Sequence, residues 1–218
     1  MTAQTPATSD QHYRAKATGK WASFWCAFFV VMLVAGCSSA ESSGELDGDS
    51  SPPPPAGYAF LDHRLGDSLE LCVNGNGGPL IAPPLIDTVR QAVALWQQSA
   101  GGRIPLEVGG ACPDARPDHK DGVSVVGWGS LDSAIGLAHR WWSRGRVKEA
   151  DITLLDTLSG DTLSPPCLLQ LMLHETGHVI GLGHQEDELS VMTPQLNCLL
   201  APVPSERDTE AVQYLYAP

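Results

Sequence analysis

Basic residues are scarce in this chain. Its 218 residues hold 13 Lys and Arg against 25 Asp and Glu, a formal net charge of −12. A chain of that sign is repelled by phosphate backbones and anionic headgroups, which argues against nucleic acid and against charge-driven membrane binding. No C-x-x-C pair occurs, so the Cys-rich zinc modules find no support. No internal repeat is visible, which removes solenoids and propellers. One long uncharged apolar run is present, "WASFWCAFFVVMLVAGC" at residues 21–37.

That run follows Arg14, Lys16 and Lys20. A positive segment ahead of about 16 apolar residues is a secretory signal layout, and the run is slightly short for an uncleaved membrane span. It closes on "VAGC", which resembles a bacterial lipobox, with Cys37 as the lipid acceptor and first residue of the mature chain. Ser38 follows rather than Asp, and by resemblance to Gram-negative lipoproteins this implies the outer membrane. Residues 38–57 are Ser, Gly, acids and a four-proline run, with almost nothing to bury, and read as a solvated tether. The expected organisation is therefore a signal peptide over 1–36, a tether over 37–57 and one folded domain over 58–218. Loss of residues 1–36 removes three basic residues and one acid and leaves a net charge of −14. Attachment to a membrane then rests on the acyl chains alone. Cys72, Cys112, Cys167 and Cys198 remain, an even number that in an exported domain suggests two disulfides.

Within the domain, Leu85, Val89, Val93 and Trp96 recur at helical spacing, and Gly101–Gly102 stop the pattern. "IPLEVGG", "DGVSVVGWG", "SAIGLAHRWW" and "EADITLLDT" read as strands, with "SRGR" turning between the last two. Ser164 and Pro165 open a second helix, as N-cap and first helical residue. Ser205 caps a third that carries Val212, Leu215 and Tyr216. The order helix, strands, helix, helix predicts an α+β domain with a mostly contiguous twisted sheet.

The second helix ends in "HETGHVIGLGH". His174 and His178, four apart, lie on one helical face and aim two imidazoles at one point. Gly181 permits a bend that other residues resist, so that His184 returns as a third ligand. Three histidines leave one position of a tetrahedral zinc for water. Zinc lowers the pKa of that water, and Glu175, beside the first ligand, stands ready to take its proton. H-E-x-x-H alone arises by chance in many helices. The longer H-E-x-x-H-x-x-G-x-x-H fixes five positions and points to a metal site.

The segment resembles the metzincin signature. Met192 in "SVMTPQ", eight residues after His184, resembles the methionine turn of that superfamily, at a spacing similar to the matrixin branch. "AVALWQQSAGGRIPLEV", "IGLAH" and "DTEAVQYLY" are similar to the matrixin first helix and following strand, substrate-binding edge strand and closing helix. The resemblance implies a zincin-like catalytic domain and a zinc endopeptidase acting on protein or peptide substrates. It implies zinc on His174, His178 and His184, Glu175 as general base, and Met192 as support beneath the metal. Ile135, Gly136, Leu137 and Ala138 would pair with an extended substrate, and Pro194 would wall the pocket for the residue after the cut bond. The sequence leaves the oligomeric state open, with a monomer expected. Of three possible disulfide pairings we expect Cys72–Cys112 and Cys167–Cys198, the second tying the start of the zinc helix to the segment after the Met turn. The pattern of a second, structural zinc is incomplete: His139 stands where one ligand would be, and is expected as an exposed strand residue. Calcium on Asp151, Asp156 and Asp161 has no motif behind it. The rival reading is a non-catalytic zinc-binding or adhesion lipoprotein with the same fold, which would have little use for Glu175.

Overall fold

A computed structural model describes residues 54–218, together with the backbone of a two-residue strand, Arg14–Ala15 (β1). The predicted signal peptide otherwise, Cys37 and most of the tether lie outside the described residues. Two short strands come first in the domain, Arg64–Leu65 (β2) and Leu69–Asn74 (β3). Next is a helix, Ala82–Ser99 (α1), opened by Pro83 and Pro84 in its first turn. It buries Leu85, Val89, Val93 and Trp96, the face read from the sequence, and it ends before Gly101 and Gly102, both at positive φ.

Strands Leu106–Ala111 (β4), Ser124–Gly129 (β5), Gly136–Ser143 (β6) and Arg146–Leu155 (β7) follow. The sheet order is β2-β7-β5-β3-β4, with β6 on the other edge of β7. All pairings are parallel except β6 with β7. That hairpin turns through Arg144 and Gly145 at φ 53° and 75°, the positive pair that a two-residue type I′ loop requires. Strand β3 was not read from the sequence. It lies inside the sheet, between β4 and β5, and buries Leu69, Leu71 and Val73.

A single 3₁₀ turn, Gly160–Leu163, leads into the helix Pro165–Ile180 (α2). Every residue of α2 from Cys167 onward is buried. It is the central helix, packed on α1 on one side and on β6 and β7 on another. Trp96 locks the two helices by donating its indole N–H to Leu173 O at 3.0 Å. Ser164 occupies the N-cap position, but its hydroxyl donates back to Asp161 O at 2.6 Å rather than accepting from the helix. The chain closes with Gln195–Leu196 (β8), which pairs with β1, and the helix Glu206–Leu215 (α3). In α3 Ser205 caps as predicted, in a reciprocal box with Asp208.

The structure joins Cys72 to Cys112 and Cys167 to Cys198. The first staples β3 to the end of β4. The second fastens the first turn of α2 to the segment beyond β8. Among the described residues no helix is long and apolar enough to cross a membrane.

Candidate metal centre

Helix α2 brings His174 and His178 to one side, and the chain then reverses. Gly181, the C-cap, sits at φ 111°, in the left-handed region that favours glycine. Its N–H bonds to His178 O at 3.0 Å, and Leu182 N–H reaches Gly177 O at 2.9 Å. The return strand of this bend is braced from outside. Leu61 N–H donates to Gly181 O and Gly183 N–H to Ala59 O, each at 2.8 Å, so residues 59–61 run antiparallel to 181–183. This edge delivers His184.

The three Nε2 atoms converge. They stand 3.0 Å apart for His174 and His178, and 3.2 Å for each of these with His184. Nitrogens at ~2.0–2.1 Å from one tetrahedral ion would be ~3.3 Å apart. The outer nitrogens fix the tautomer: His174 Nδ1 donates to Val191 O and His178 Nδ1 to Leu182 O, both at 2.8 Å. With the proton held on Nδ1, the Nε2 lone pair is left to face the centre. Burial, reinforced by the neighbouring imidazoles, holds His174 well below the ordinary histidine range and His178 down at about 3. Three imidazole Nε2 atoms gathered at one point, two of them on rings that burial keeps neutral, are a donor set for a cation. Among the described residues this is the one group of three His, Cys, Asp or Glu side chains gathered closely enough to hold a metal. The imidazole set suits zinc.

Glu175 is wholly buried, and both of its carboxylate oxygens have no hydrogen-bond partner among the described residues. Burial pushes its pKa well above the ordinary carboxylate range. Its carboxylate lies against β6. A Cβ on Gly136 would stand 2.5 Å from Glu175 Oε1 and 2.9 Å from Leu171 Cδ1. Gly136 is thus the place on the edge strand where the carboxylate finds room. Ile135 precedes β6, its carbonyl accepting from Leu155 N–H at 3.0 Å, and Leu137 and Ala138 pair with Thr153 and Ile152 of β7. Among the described residues β7 is the only strand partner of β6, which leaves the other edge of β6 open beside α2.

Met192 is fully buried against α2 between the two helical histidines. A Cβ on Gly177 would meet Met192 Sδ at 2.3 Å and Cε at 3.0 Å. This contact accounts for a glycine in the middle of the helix. Pro194, half-buried, follows in the same segment.

Asp208, which sequence reading passed over, holds this region together. Its Oδ1 accepts from Tyr58 Oη at 2.7 Å and Ser190 Oγ at 2.5 Å. Its Oδ2 accepts from Val191 N–H at 3.1 Å and from Ser205 N–H and Oγ at 2.9 and 2.8 Å. Val191 therefore links Asp208 through its N–H to His174 through its carbonyl. The Ser205-x-x-Asp208 spacing was the one visible signal, as a capping pattern.

The secondary sites separate. His139 is not exposed: its side chain is 14 % accessible and its Nδ1 lies 3.1 Å from Asp118 Oδ1, because residues 118–121 fold over β6 and β7. Asp151 is buried in β7, where its carboxylate accepts from His119 and Val125 N–H at 3.1 Å each, and burial raises its pKa to about 7. Asp156 is half-buried and Asp161 exposed, and the three acids gather no group of metal donors among the described residues. Calcium gains no support.

Residues 134–217 match the family model for matrixin, a span that runs from the edge strand through α3 and covers less than half of the chain. A search of curated proteins finds no match. Among solved structures, the chain is similar to metalloproteinase-II from Bacteroides fragilis, with 15% identity over 79% of this chain and a TM-score of 0.45. It spans 59% of that protein's length. Archaemetzincin from Methanopyrus kandleri is similar at 21% identity, over 69% of this chain and 96% of that one, with a TM-score of 0.43. The three converging histidines lie within the segment that matches matrixin, and the two observations together support a metzincin-type zinc metallopeptidase fold.

Proposed function

We propose that this protein is a zinc-dependent endopeptidase of matrixin type, tethered to the outer membrane by lipid on Cys37. The observation that carries the catalytic part is Glu175: an acid wholly buried beside three converging imidazoles, with neither oxygen engaged by the described residues. A protein that merely stored or displayed zinc would gain nothing from that desolvated group.

His174, His178 and His184 hold the metal. Zinc, when bound, supplies Lewis acidity toward the scissile carbonyl and toward a water molecule. Glu175 takes a proton from the attacking water as its oxygen bonds to the carbonyl carbon. Its raised proton affinity suits it to pass that proton to the departing amine as the C–N bond breaks. The open edge of β6 receives the extended substrate by strand addition, with Ile135, Gly136, Leu137 and Ala138 offering backbone groups. Met192 supports the helix under the metal. Pro194 walls the pocket for the residue after the cut bond.

The test uses the full chain, purified in detergent and loaded with zinc, on a mixed unfolded protein substrate. Glu175→Gln is expected to lower turnover by ~10²–10⁴-fold while metal analysis still finds one zinc per chain. Near-wild-type turnover in that variant would sink the mechanism. For the tether, Cys37→Ala should move the protein from the detergent phase to the aqueous phase on phase separation, and unchanged partitioning would contradict lipid attachment.

A further inference from the structure

Strand β6 has two faces. Gly136 stands against Glu175 and Ala138 joins the core. Leu137 and His139 therefore point to the other side of the sheet, away from α2 and its histidines. Thr153 of β7, the register partner of Leu137, lies on that side too, between Ile152 and Leu154 of the core. A cavity of about 520 Å³ opens there, lined by Leu137, His139 and Thr153 and by Trp128 near the end of β5. Its size falls within the ~300–1,000 Å³ of small-molecule sites.

The opposite wall is the segment 113–119, which follows β4. At its root Cys112 is bonded to Cys72, and Asn74 Nδ2 donates to Pro113 O and Ala115 O at 3.2 and 2.6 Å. At its far end His119 N–H donates to Asp151 and Asp121 N–H to Glu149, at 3.1 and 2.8 Å. Between these anchors Pro117 rests on β5, where a Cβ on Gly127 would stand 3.0 Å from Pro117 Cδ. A wall pinned at both ends keeps the space open before any ligand arrives.

One group deep in the cavity lacks a partner. Thr153 is 4 % exposed, and its Oγ1 has no hydrogen-bond partner among the described residues. Valine would suit the strand as well and leave no hydroxyl unpaired. The charges stand at the rim instead. Arg116 is exposed, and so is Asp118, 3.1 Å from His139 Nδ1. Being of opposite sign, they favour neither an anion nor a cation. No three metal donors gather here among the described residues. Trp128 gives its indole N–H to Leu80 O at 3.0 Å and so offers the cavity only its ring.

We infer that this cavity binds a neutral sugar ring, with C–H groups against Leu137 and Trp128 and hydroxyls on Thr153 and His139. A sugar hydroxyl donates and accepts at once, as a threonine hydroxyl does, and a neutral imidazole carries one nitrogen of each kind. An apolar ligand would leave Thr153 unpaired. A charged one would lose its hydration over an uncharged surface. A free sugar and the end of a glycan offer the same ring, and the experiment separates them.

The test uses the full chain in a detergent without a sugar headgroup. Glucose, galactose, mannose and N-acetylglucosamine are titrated singly, and binding is followed by saturation-transfer NMR. At least one should bind at a single site with a Kd in the millimolar range. Thr153→Val should weaken that binding by ~10-fold. No saturable binding of any of the four, or equal affinity in Thr153→Val, overturns the inference. The sugar that binds is then offered as the end of a glycan on a glycoprotein, with the deglycosylated protein as control. Retention of the glycosylated form alone identifies glycans as ligands, and binding of the free sugar only identifies the soluble one; both support the site. Thermal unfolding without sugar is the second measurement. Thr153→Val should melt at or above wild type, because the hydroxyl it removes bonds to nothing in the fold. A lower Tm would mean that the hydroxyl is satisfied internally, which also overturns the inference. Neither measurement involves turnover, so both stand apart from the peptidase reading.

Discussion

Gly177→Ala is the substitution in which local and tertiary physics oppose each other most directly. In an isolated helix the change is favourable by ~1 kcal/mol, since alanine loses less backbone entropy. Here the new methyl would stand 2.3 Å from Met192 Sδ, 3.0 Å from its Cε and 3.2 Å from Trp96 Cζ2. Carbon contacts are comfortable near ~3.5–4.0 Å, so the thioether must retreat by more than an ångström. A thioether is a flexible end, but Met192 and Trp96 are both fully buried and have no open side to move into. Overpacking of this kind costs ~1–3 kcal/mol or somewhat more. With no room to relax, the upper part of that range, about 2–3 kcal/mol, applies, and set against the propensity gain it leaves a net loss of about 1–2 kcal/mol, or ~2–8 °C in Tm for a domain of this size. The displaced turn also carries Val191, whose carbonyl orients His174, so zinc affinity should fall by ~10-fold, the lower end for loss of an outer-shell contact. Differential scanning calorimetry and competition with a zinc chelator dye read the two effects. The control is Met192→Ala, in which the same Gly177→Ala change should become stabilising. A Gly177→Ala protein that melts higher than wild type with unchanged zinc affinity would falsify the packing argument.

Gly136→Ala tests the room left for Glu175, the proposed general base. The added methyl would meet Glu175 Oε1 at 2.5 Å, and a displacement of that order costs about 10²-fold in turnover. Zinc content should be retained, and full activity would show that Glu175 does not lie against β6. Asp208→Ala strands the hydroxyls of Tyr58, Ser190 and Ser205 and two backbone N–H groups around a buried hole. Loss of charge-assisted bonds at ~1.5–3 kcal/mol each should cost at least about 3 kcal/mol, or ~6–12 °C in Tm. Calorimetry checks it, and an unchanged Tm would remove Asp208 from the network.

What could be read in the sequence was what local physics decides. The apolar spacing of Leu85, Val89, Val93 and Trp96 needs only a helix with one buried face. Pro165 and Gly181 bound α2 because proline suits a helix start and glycine accepts the left-handed cap. The spacing of His174 and His178 follows from 3.6 residues per turn. Strand β3 was readable in principle, since Leu69, Leu71 and Val73 alternate, but it sits between two turn-forming stretches. His139 went wrong for a different reason. Its period along β6 says nothing about Asp118, which a loop at φ 69° carries in from outside the strand.

The least legible part is the bracing of the metal-binding loop, and it follows from where the third histidine stands. His174 and His178 inherit the rigidity of a buried helix, whereas His184 lies beyond a glycine bend and has no helix to hold it. Loops open more easily than helices, so a ligand on one needs support from elsewhere. The chain supplies it at two places distant in sequence. Residues 59–61 pair with 181–183, and Gln185 N–H bonds to Met192 O at 2.9 Å across the turn. Tyr58 then fastens the first brace to Asp208, which also holds the second through Ser190 and Val191. None of these contacts uses a residue type that announces itself, because most donors and acceptors are backbone groups. The segment at Tyr58, the turn at Met192 and the last helix therefore meet at one carboxylate. Loosening any of them should be felt first at His184, the ligand with the least helix behind it.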